Sequence, residues 1–385
     1  MTAFSYGLTN PCSFLSKESE PILHHIWVSS PNTSNNDFLI SENGTSWYLK
    51  STGYTSGGSY NFDKCTSINY STNEIINVDN SSATLVYSIT NNSAKYYTPS
   101  GTPWGSSPGS IGAKVYDNTR SYWEAVNRTG SSSSGTYYGN ALTNSSKYLT
   151  SSGSKKNGKF TYKKGSYDIV IAPSGNLFVY PKCSTSYCYY LSAGSNFRTG
   201  SYTNKWSDLN TAASNANIST KRILNCCYWP NKGFVFILYN GVAIYDDENN
   251  SWSAASVSWG SLSADEQTTT TCNYSDNMTQ YDPIRKRMYA LHCMNTGYLR
   301  VFYSNDGLNW SLLGSQSNSN MPTAGNYTYR KCVAADENYV IVKGSGGYSI
   351  YNYNNNSWKL NSGITFNNSV TGFASDAPIY CFYYS

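Results

Sequence analysis

Charged residues, long apolar runs and helix-forming stretches are all scarce in this chain of 385 residues. Only 13% of the residues are charged and the formal net charge is +5, so no basic stripe of the kind that binds nucleic acid stands out. No apolar run approaches the roughly 18 residues that would span a membrane. The segment MTAFSYGLTNPCSF at the start has neither the basic region nor the apolar region of a secretory signal. We therefore expect a protein made in a cytoplasm, with no membrane insertion and no nucleic-acid partner.

Patterns typical of metal sites and of catalytic groups are missing as well. The chain has ten Cys, but Cys183 and Cys188 form the one spaced pair and no second pair or His stands at zinc-ligand spacing. Without a secretory signal, thiols are expected rather than disulfides. His24 and His25 precede the first predicted strand, which favours the surface, and His292 falls in an apolar strand, which favours the core. The sequence thus predicts no metal, no cofactor and no catalytic residue.

What the chain does contain is a repeat built on aromatic residues, which make up 16% of it. In each copy a hydrophobic pair and a polar Ser, Asn or Gly turn precede an aromatic anchor, most clearly in SENGTSW (41–47) and SNDGLNW (304–310). Seven anchors recur at intervals of 48 to 58 residues: Trp47, Tyr97, Tyr148, Phe197, Trp252, Trp310 and Trp358. A blade of four strands in a β-propeller occupies about 40 to 50 residues. The spacing therefore predicts an all-β, seven-bladed β-propeller.

A second unit precedes each of several anchors and predicts the inner hairpin of a blade. Its copies are the segments 114–126, 169–180, 227–238, 280–291 and 333–342. The N-terminal part contains an anchor, whereas the C-terminal part shows an inner-hairpin pattern without one, so we expect the terminal strands to pair in one blade and close the ring. Residues 24–385 then form a single propeller domain, and residues 1–23 form an arm that docks on another protein. One short helix is predicted within 207–216.

The two clear copies resemble the Asp-box, or sialidase-type, repeat of β-propellers. In this repeat the Asp and Ser side chains bond to the turn, Gly adopts a positive φ and Trp packs beneath. The resemblance assigns these structural roles to two sets of residues: Ser41, Asn43, Gly44 and Trp47, and Ser304, Asp306, Gly307 and Trp310. Asn43 departs from the Asp of the pattern. The resemblance implies a hairpin that is stabilised by the box, with no catalytic role for it.

Enzymatic function would require more than the repeat. Sialidase-like catalysis implies an arginine triad, a Tyr nucleophile with its Glu partner, and an Asp acid. The only segment that faintly resembles the sialidase pattern is 197–200. A glycosidase with two carboxylates stays open, because such pairing is spatial. Most carboxylates nevertheless stand in turns where a structural role suffices, for example Asp117, Asp246, Asp247, Asp282 and Asp336.

Aromatic residues outside the anchor positions are the candidates for ligand binding. Trp104, Trp206 and Trp259 lie near small polar residues, an arrangement that suits stacking on sugars. The basic loop that holds Lys155, Lys156 and Lys159 could attract an anionic polymer. For each of these residues a purely structural or solvated role is the competing interpretation.

Three classes of function follow from these patterns. The first is a non-enzymatic virion surface protein, such as a phage tail fibre or receptor-binding component, that recognises a cell-surface ligand such as a carbohydrate and contacts other virion proteins through the arm. A homo-oligomer would suit this class. The second is a sialidase-like glycoside hydrolase that acts on surface polysaccharide, and the third is a cellular lectin or scaffold. Low charge, a degenerate repeat and the absence of a signal favour the first.

Overall fold

The structure is a computed structural model of the chain, and it is built almost entirely of β-strands. The residues that it describes are 23–32, 37–54, 66–78, 84–97, 111–117, 122–129, 136–142, 160–161, 167–172, 174–181, 188–192, 203–219, 221–257, 278–294, 297–325, 331–367, 370–375 and 377–385. For parts of this range, including all residues from 111 to 161, the strands are described without their side chains.

The strands form one sheet of five strands and six sheets of four, which we number I to VII. Sheet I has the spatial order β28 (Thr365–Phe366), β3 (Ser46–Lys50), β2 (Phe38–Ser41), β1 (His24–Ser29) and β29 (Tyr380–Tyr384). Each other sheet consists of four antiparallel strands that follow one another in the chain. Sheet II contains β4 (Thr66–Asn69), β5 (Glu74–Val78), β6 (Thr84–Ser88) and β7 (Ser93–Tyr97). Sheet III contains β8 (Ile111–Asp117), β9 (Tyr122–Thr129), β10 (Thr136–Leu142) and β11 (Phe160–Thr161).

Sheets IV to VII repeat the same order of four antiparallel strands. Sheet IV contains β12 (Tyr167–Ile171), β13 (Leu177–Pro181), β14 (Tyr189–Leu191) and β15 (Thr203–Asn204). Sheet V contains β16 (Ile223–Trp229), β17 (Gly233–Leu238), β18 (Gly241–Asp246) and β19 (Ser251–Ser256). Sheet VI contains β20 (Thr279–Asp282), β21 (Arg287–Cys293), β22 (Leu299–Ser304) and β23 (Ser311–Leu312). Sheet VII contains β24 (Cys332–Ala335), β25 (Tyr339–Gly344), β26 (Gly347–Asn352) and β27 (Ser357–Leu360).

The hydrophobic core lies between the faces of successive sheets, as the alternation of apolar residues requires. The first strands of sheets II to VII and the last strand of the chain, β29, adjoin one another in order. Four interfaces are represented by buried pairs from neighbouring sheets: Phe178 and Phe236, Leu291 and Val333, Trp47 and Ile341, and Phe38 and Ile75. The five predicted inner hairpins are confirmed, because each coincides with the first two strands of sheets III to VII.

The predicted helix is confirmed as α1 (Trp206–Asn215), which connects sheets IV and V. It buries Leu209 and Ala213 against the core of sheet V, because these residues stand four apart and share a helix face. In the described part of the chain, no helix has both the length and the apolar character needed to cross a membrane.

The two ends of the described chain meet in sheet I, as predicted. Strand β1 pairs with β29 in antiparallel register from His24 opposite Tyr384 to Val28 opposite Tyr380. The expectation of an inner hairpin at the C-terminus was wrong, because β29 is the single strand that the C-terminal segment adds to this side of the sheet. The other member of the pair is β1 itself, so β1 and β29 together take the place of an inner hairpin.

The two sets of residues that resemble the box make equivalent hydrogen bonds in sheets I and VI. Asp306 Oδ1 accepts the main-chain N–H groups of Leu308 at 2.9 Å and Asn309 at 2.7 Å, and Trp310 Nε1 donates to the Gly307 carbonyl at 3.0 Å. In the other copy the Oδ1 of Asn43 accepts two main-chain N–H groups, and Trp47 Nε1 donates to the Gly44 carbonyl at 2.9 Å. Both glycines have positive φ, 71° and 85°. The structural role predicted for the box is therefore what these contacts provide, even where Asn replaces Asp.

Three other sheets have a different outer turn. The repeat predicted from the sequence did not distinguish this turn from the box. A Tyr at the end of the third strand donates its hydroxyl to the Oδ1 of an Asn five residues later. The pairs are Tyr87 with Asn92, Tyr245 with Asn250 and Tyr351 with Asn356, and each Asn has a positive φ of 48° or 49°. Asn tolerates this left-handed conformation better than most residues do.

The geometry of this second turn changes the assignment of one aromatic anchor of the repeat. Trp252 pairs with Tyr245 and Trp358 with Tyr351, and the residue in that position of sheet II is Ala94, which pairs with Tyr87. The prediction of Tyr97 as the anchor was therefore wrong by three positions. Tyr148 and Phe197 lie outside the described residues.

We expect Asp306→Ala to destabilise the protein by about 1 to 2 kcal/mol, because it removes several turn bonds worth about 1 kcal/mol each. Asp306→Asn should cost much less, since Asn43 makes equivalent bonds in sheet I. Urea unfolding of both variants measures the difference. Equal losses for the two variants would mean that the carboxylate charge, and not the turn bonding, is what matters.

Candidate ligand-binding cleft

An open cleft of about 610 Å³ lies between sheets VII and I, and it has the mixed lining of a small-molecule site. Its walls come from the end of β25, the start of β26 and the segment that leads from β28 towards β29. The described lining residues are Lys343, Gly344, Gly346, Gly347, Tyr348, Asn361, Ile364, Phe366, Thr371, Gly372, Phe373 and Ser375.

The aromatic part of the cleft is organised around Phe373. Its ring makes edge contacts with Tyr348 at 5.6 Å, Phe366 at 5.0 Å and Trp47 at 4.8 Å between ring centroids. Tyr348, Phe366 and Phe373 are each half-buried, so their rings support one another and still reach the cleft. Trp47 is fully buried behind them and connects the Asp-box turn of sheet I to this surface.

The polar part of the cleft is held by main-chain contacts. Lys343 is almost fully buried, and its Nζ donates to the carbonyls of Ser375 at 2.9 Å and Ala377 at 2.8 Å, which fixes the last segment against β25. Asn361 donates its amide to the Gly346 carbonyl and accepts the N–H of Tyr348. Asn361 lies against Gly347, whose φ of +128° is a conformation that residues with a side chain rarely adopt. The hydrogen bonds of Lys343 and Asn361 thus fix the shape of the rim of the cleft.

No Asp or Glu occurs among the described residues that line the cleft. The side chains at its surface offer aromatic faces, hydroxyl groups and amides, and the one cation, Lys343, is engaged with carbonyl groups. Such a lining can bind an uncharged polar ligand by stacking and hydrogen bonds. It lacks, in the described part, the pair of carboxylates that glycoside hydrolysis needs.

Of the residues that the sequence singled out for ligand binding, Trp206 is the one that the structure describes, and it does not line this cleft. Trp206 is the first residue of α1 and packs against the core of sheets IV and V, so it stands on a helix and not on a loop. The other candidates lie outside the described residues: Trp104, Trp259, Lys155, Lys156 and Lys159. One part of the cleft is visible in the sequence as GSGGY (344–348), a glycine-rich turn followed by an aromatic residue. The predicted binding residues were isolated Trp residues and a basic loop, and they did not include this turn.

A second group of polar residues lies at the opposite end of β25. His25 is the second residue of β1, so the expectation that it precedes the first strand at the surface was wrong. Its Nε2 lies 3.1 Å from Asp336 Oδ2, and its Nδ1 lies 3.4 Å from Glu337 Oε2. Burial opposes the charged imidazole, but Asp336 and Glu337 outweigh it, and the pKa of His25 is raised.

Four of the carboxylates predicted to stabilise turns have described side chains, and three of them do so. Asp246 accepts the N–H groups of two residues that follow it in its turn, and Asp282 and Asp336 do the same at the inner hairpins of sheets VI and VII. Asp247 bonds instead to Ser174 and Asn176 of the neighbouring sheet IV. His292 is fully buried, as predicted, and burial lowers its pKa to about 3.

Comparison with known proteins identifies the fold and nothing finer. No protein-family model and no curated protein sequence matches the chain. Among solved structures, a candidate 6-phosphogluconolactonase from Bacteroides fragilis is 9% identical, with 95% of this chain and 99% of that one covered and a TM-score of 0.53. Apo AztD from Citrobacter koseri is 10% identical, with 94% and 99% covered and a TM-score of 0.51. The β-propeller domain of Cps50 (Swd1) from Myceliophteria thermophila is 8% identical, with 83% and 96% covered and a TM-score of 0.46. The structures that this chain resembles are β-propellers, and its fold is all-β and propeller-like.

Proposed function

We propose that the protein binds a neutral carbohydrate through the cleft between sheets VII and I and performs no chemistry on it. The observation that carries the proposal is the lining of the cleft, in which three supported aromatic rings stand beside hydroxyl and amide groups without a described carboxylate. Aromatic faces stack on the apolar C–H faces of sugars, and fixed polar groups select the hydroxyl pattern.

The scaffold that we propose for this site is a closed ring of seven blades within a single domain, 24–385. Sheets I to VII would each be one blade, and the pairing of β1 with β29 would close the ring without leaving a sheet edge open. The repeated box in sheets I and VI supports a kinship with Asp-box propellers. In this arrangement the cleft lies between two adjacent blades.

We further propose that the ligand belongs to a host cell surface and that the protein is a virion surface component, such as a phage tail fibre or receptor-binding protein. The low charge and the degenerate repeat of the sequence support this class. Several copies on one particle would raise a weak affinity for each site by avidity. The segment 1–23 would contact other virion proteins, but residues 1–22 lie outside the described part of the chain. Tail or capsid genes beside this one would support the class, and a cellular operon would favour the lectin.

The sugar-binding proposal predicts that Tyr348→Ala and Phe366→Ala each lower the affinity for a carbohydrate about fivefold or more, since loss of one stacking partner removes about 1 kcal/mol or more. Tyr96→Ala is the matched control, because Tyr96 is an aromatic residue of sheet II with 43% of its surface exposed and no place in the cleft. A glycan array identifies the ligand, and calorimetry with that glycan compares the three variants. Equal affinities in all three would remove the cleft from the binding site.

Glycoside hydrolysis remains the alternative function, and the same ligand tests it. A hydrolase would release reducing ends from host surface polysaccharide, and one Asp or Glu substitution would abolish the release. Binding without turnover supports the proposal. Turnover that depends on a carboxylate would replace it.

A further inference from the structure

We propose that His25, Asp336 and Glu337 form a binding site for a divalent transition-metal ion of the zinc class. One ligand atom from each residue, a ring nitrogen and two carboxylate oxygens, lies within 4.8 Å of the others. Ligands at about 2.0 to 2.2 Å from a tetrahedral zinc ion stand a little over 3 Å apart. The separation of 3.1 Å between His25 Nε2 and Asp336 Oδ2 has that size.

Buried polar atoms give a second, independent reason to expect a bound ion. His25 Nε2 and Glu337 Oε2 are both shielded from solvent. Each lies near one group of the cluster, His25 Nε2 at 3.1 Å from Asp336 Oδ2 and Glu337 Oε2 at 3.4 Å from His25 Nδ1, but neither makes a hydrogen bond of acceptable geometry within the described part of the chain. A buried polar atom without a well-aligned hydrogen bond costs free energy, and coordination of a metal ion would offset this cost. The imidazole nitrogen favours zinc-class ions over Mg²⁺ or Ca²⁺, which prefer a shell of oxygen atoms.

The surroundings hold the ligands in place, as the outer shell of a metal site does. Trp27 Nε1 donates to Asp336 Oδ2 at 2.9 Å, and Asp336 Oδ1 accepts the N–H groups of Asn338 and Tyr339. Arg285 Nε donates to the Glu337 carbonyl at 2.8 Å, so a residue of sheet VI fixes the turn that presents both carboxylates. The Asp336 side chain is buried, whereas 31% of the Glu337 side chain is exposed, and an ion can therefore enter from that side.

The site would join sheet I to sheet VII, because His25 belongs to β1 and the carboxylates belong to the turn between β24 and β25. It lies at the opposite end of β25 from the cleft, about 20 Å away for six residues of strand. Metal binding is thus independent of the proposed carbohydrate binding. Its expected effect is on the stability of the contact between the two sheets.

The test uses the whole protein, treated with a chelator and then titrated with Zn²⁺, with calorimetry and thermal melts as readouts. We expect one ion per chain and a higher melting temperature. His25→Asn and Glu337→Gln should each weaken Zn²⁺ binding more than about tenfold, a loss that even changes in the outer shell can cause. His24→Asn is the matched control, because the neighbouring imidazole is exposed and packs on Tyr384.

Two results would overturn the proposal. One is the absence of Zn²⁺ binding to the wild-type protein, and the other is binding that survives both substitutions. If metal binding survives both substitutions, Co²⁺ spectra show whether cysteines elsewhere in the chain bind the ion. Thiolate ligands give intense near-ultraviolet bands that imidazole and carboxylate ligands lack. If His25→Asn fails to fold, Glu337→Gln decides the question, because its side chain is partly exposed and keeps its shape.

Discussion

Trp47→Ala is expected to destabilise the protein by about 3 to 5 kcal/mol, the usual cost of truncating a fully buried Trp. The indole is 0% exposed and packs edge-on against Trp27 and Phe373, at centroid distances of 6.5 and 4.8 Å. The substitution also removes the Nε1 bond to the Gly44 carbonyl. Guanidinium unfolding followed by fluorescence and circular dichroism measures the loss. Because Phe373 supports the cleft, carbohydrate affinity should fall together with stability.

Trp310→Ala is the matched comparison, because Trp310 occupies the same place in the second box and makes the same bond to a glycine carbonyl. Its side chain is only half-buried. The bond is common to both sites, so the difference in stability between the two variants reports the burial of the indole. If Trp310→Ala cost as much as Trp47→Ala, the turn bond and not the burial would set the effect.

Asp282→Asn is expected to stabilise the protein at neutral pH by about 1 to 2 kcal/mol. Asp282 is fully buried, its Oδ2 has no hydrogen-bond partner in the described part of the chain, and burial raises its pKa to about 6. The unfolded value is near 3.9. The folded protein therefore holds the proton more tightly than the unfolded chain does, and stability falls as the pH rises from about 4 to about 6. Asn removes the charge and keeps the Oδ1 that accepts the N–H groups of Ile284 and Arg285.

The test of this prediction is a series of unfolding curves between about pH 3.5 and about pH 7, a range that includes the unfolded and folded pKa values of the Asp282 carboxyl. The gain from Asp282→Asn should vanish at the acidic end, where the wild-type carboxyl is protonated. Asp282→Ala, which loses the turn bonds and the bond from Tyr383, should be destabilised at every pH. A stability gain for Asn that does not change with pH would show that ionisation of Asp282 is not the cause.

The class of fold could be predicted from the sequence because the repeat is local. The box at Ser304 to Trp310 closes its bonds within seven residues, and the inner hairpins pair segments that adjoin in the chain. The weak repeats misled for the same reason. In sheet II, Ala94 occupies the position that Trp252 and Trp358 occupy in sheets V and VII. A pattern of aromatic residues cannot predict a position that is held by an alanine. The Tyr and Asn of the second turn are visible in the sequence once their spacing of five residues is known.

The candidate sites could not be predicted, because each is formed by contacts between different elements of the fold and not by a local motif. His25 meets Asp336 across the contact between sheets I and VII, and a lone His at the start of a strand gives no hint of this. The cleft likewise brings Tyr348 of β26 against Phe373, which lies in the segment between β28 and β29. A repeat describes what every sheet has in common, whereas both sites depend on what distinguishes sheets I and VII from the rest.

The pairing of β1 with β29 also has a consequence for synthesis. Strand β1 leaves the ribosome well before its partner on one side, because Tyr380 to Tyr384 are made more than 350 residues later. At about 5 to 20 residues per second, β1 waits roughly twenty to seventy seconds with that edge unpaired. During this interval its buried face, Ile26 to Ser29, is open to the wrong partner. Nascent chains that stall before β29 is made should therefore be the form most prone to aggregation. We expect β1 to be the strand that chaperones bind in these chains.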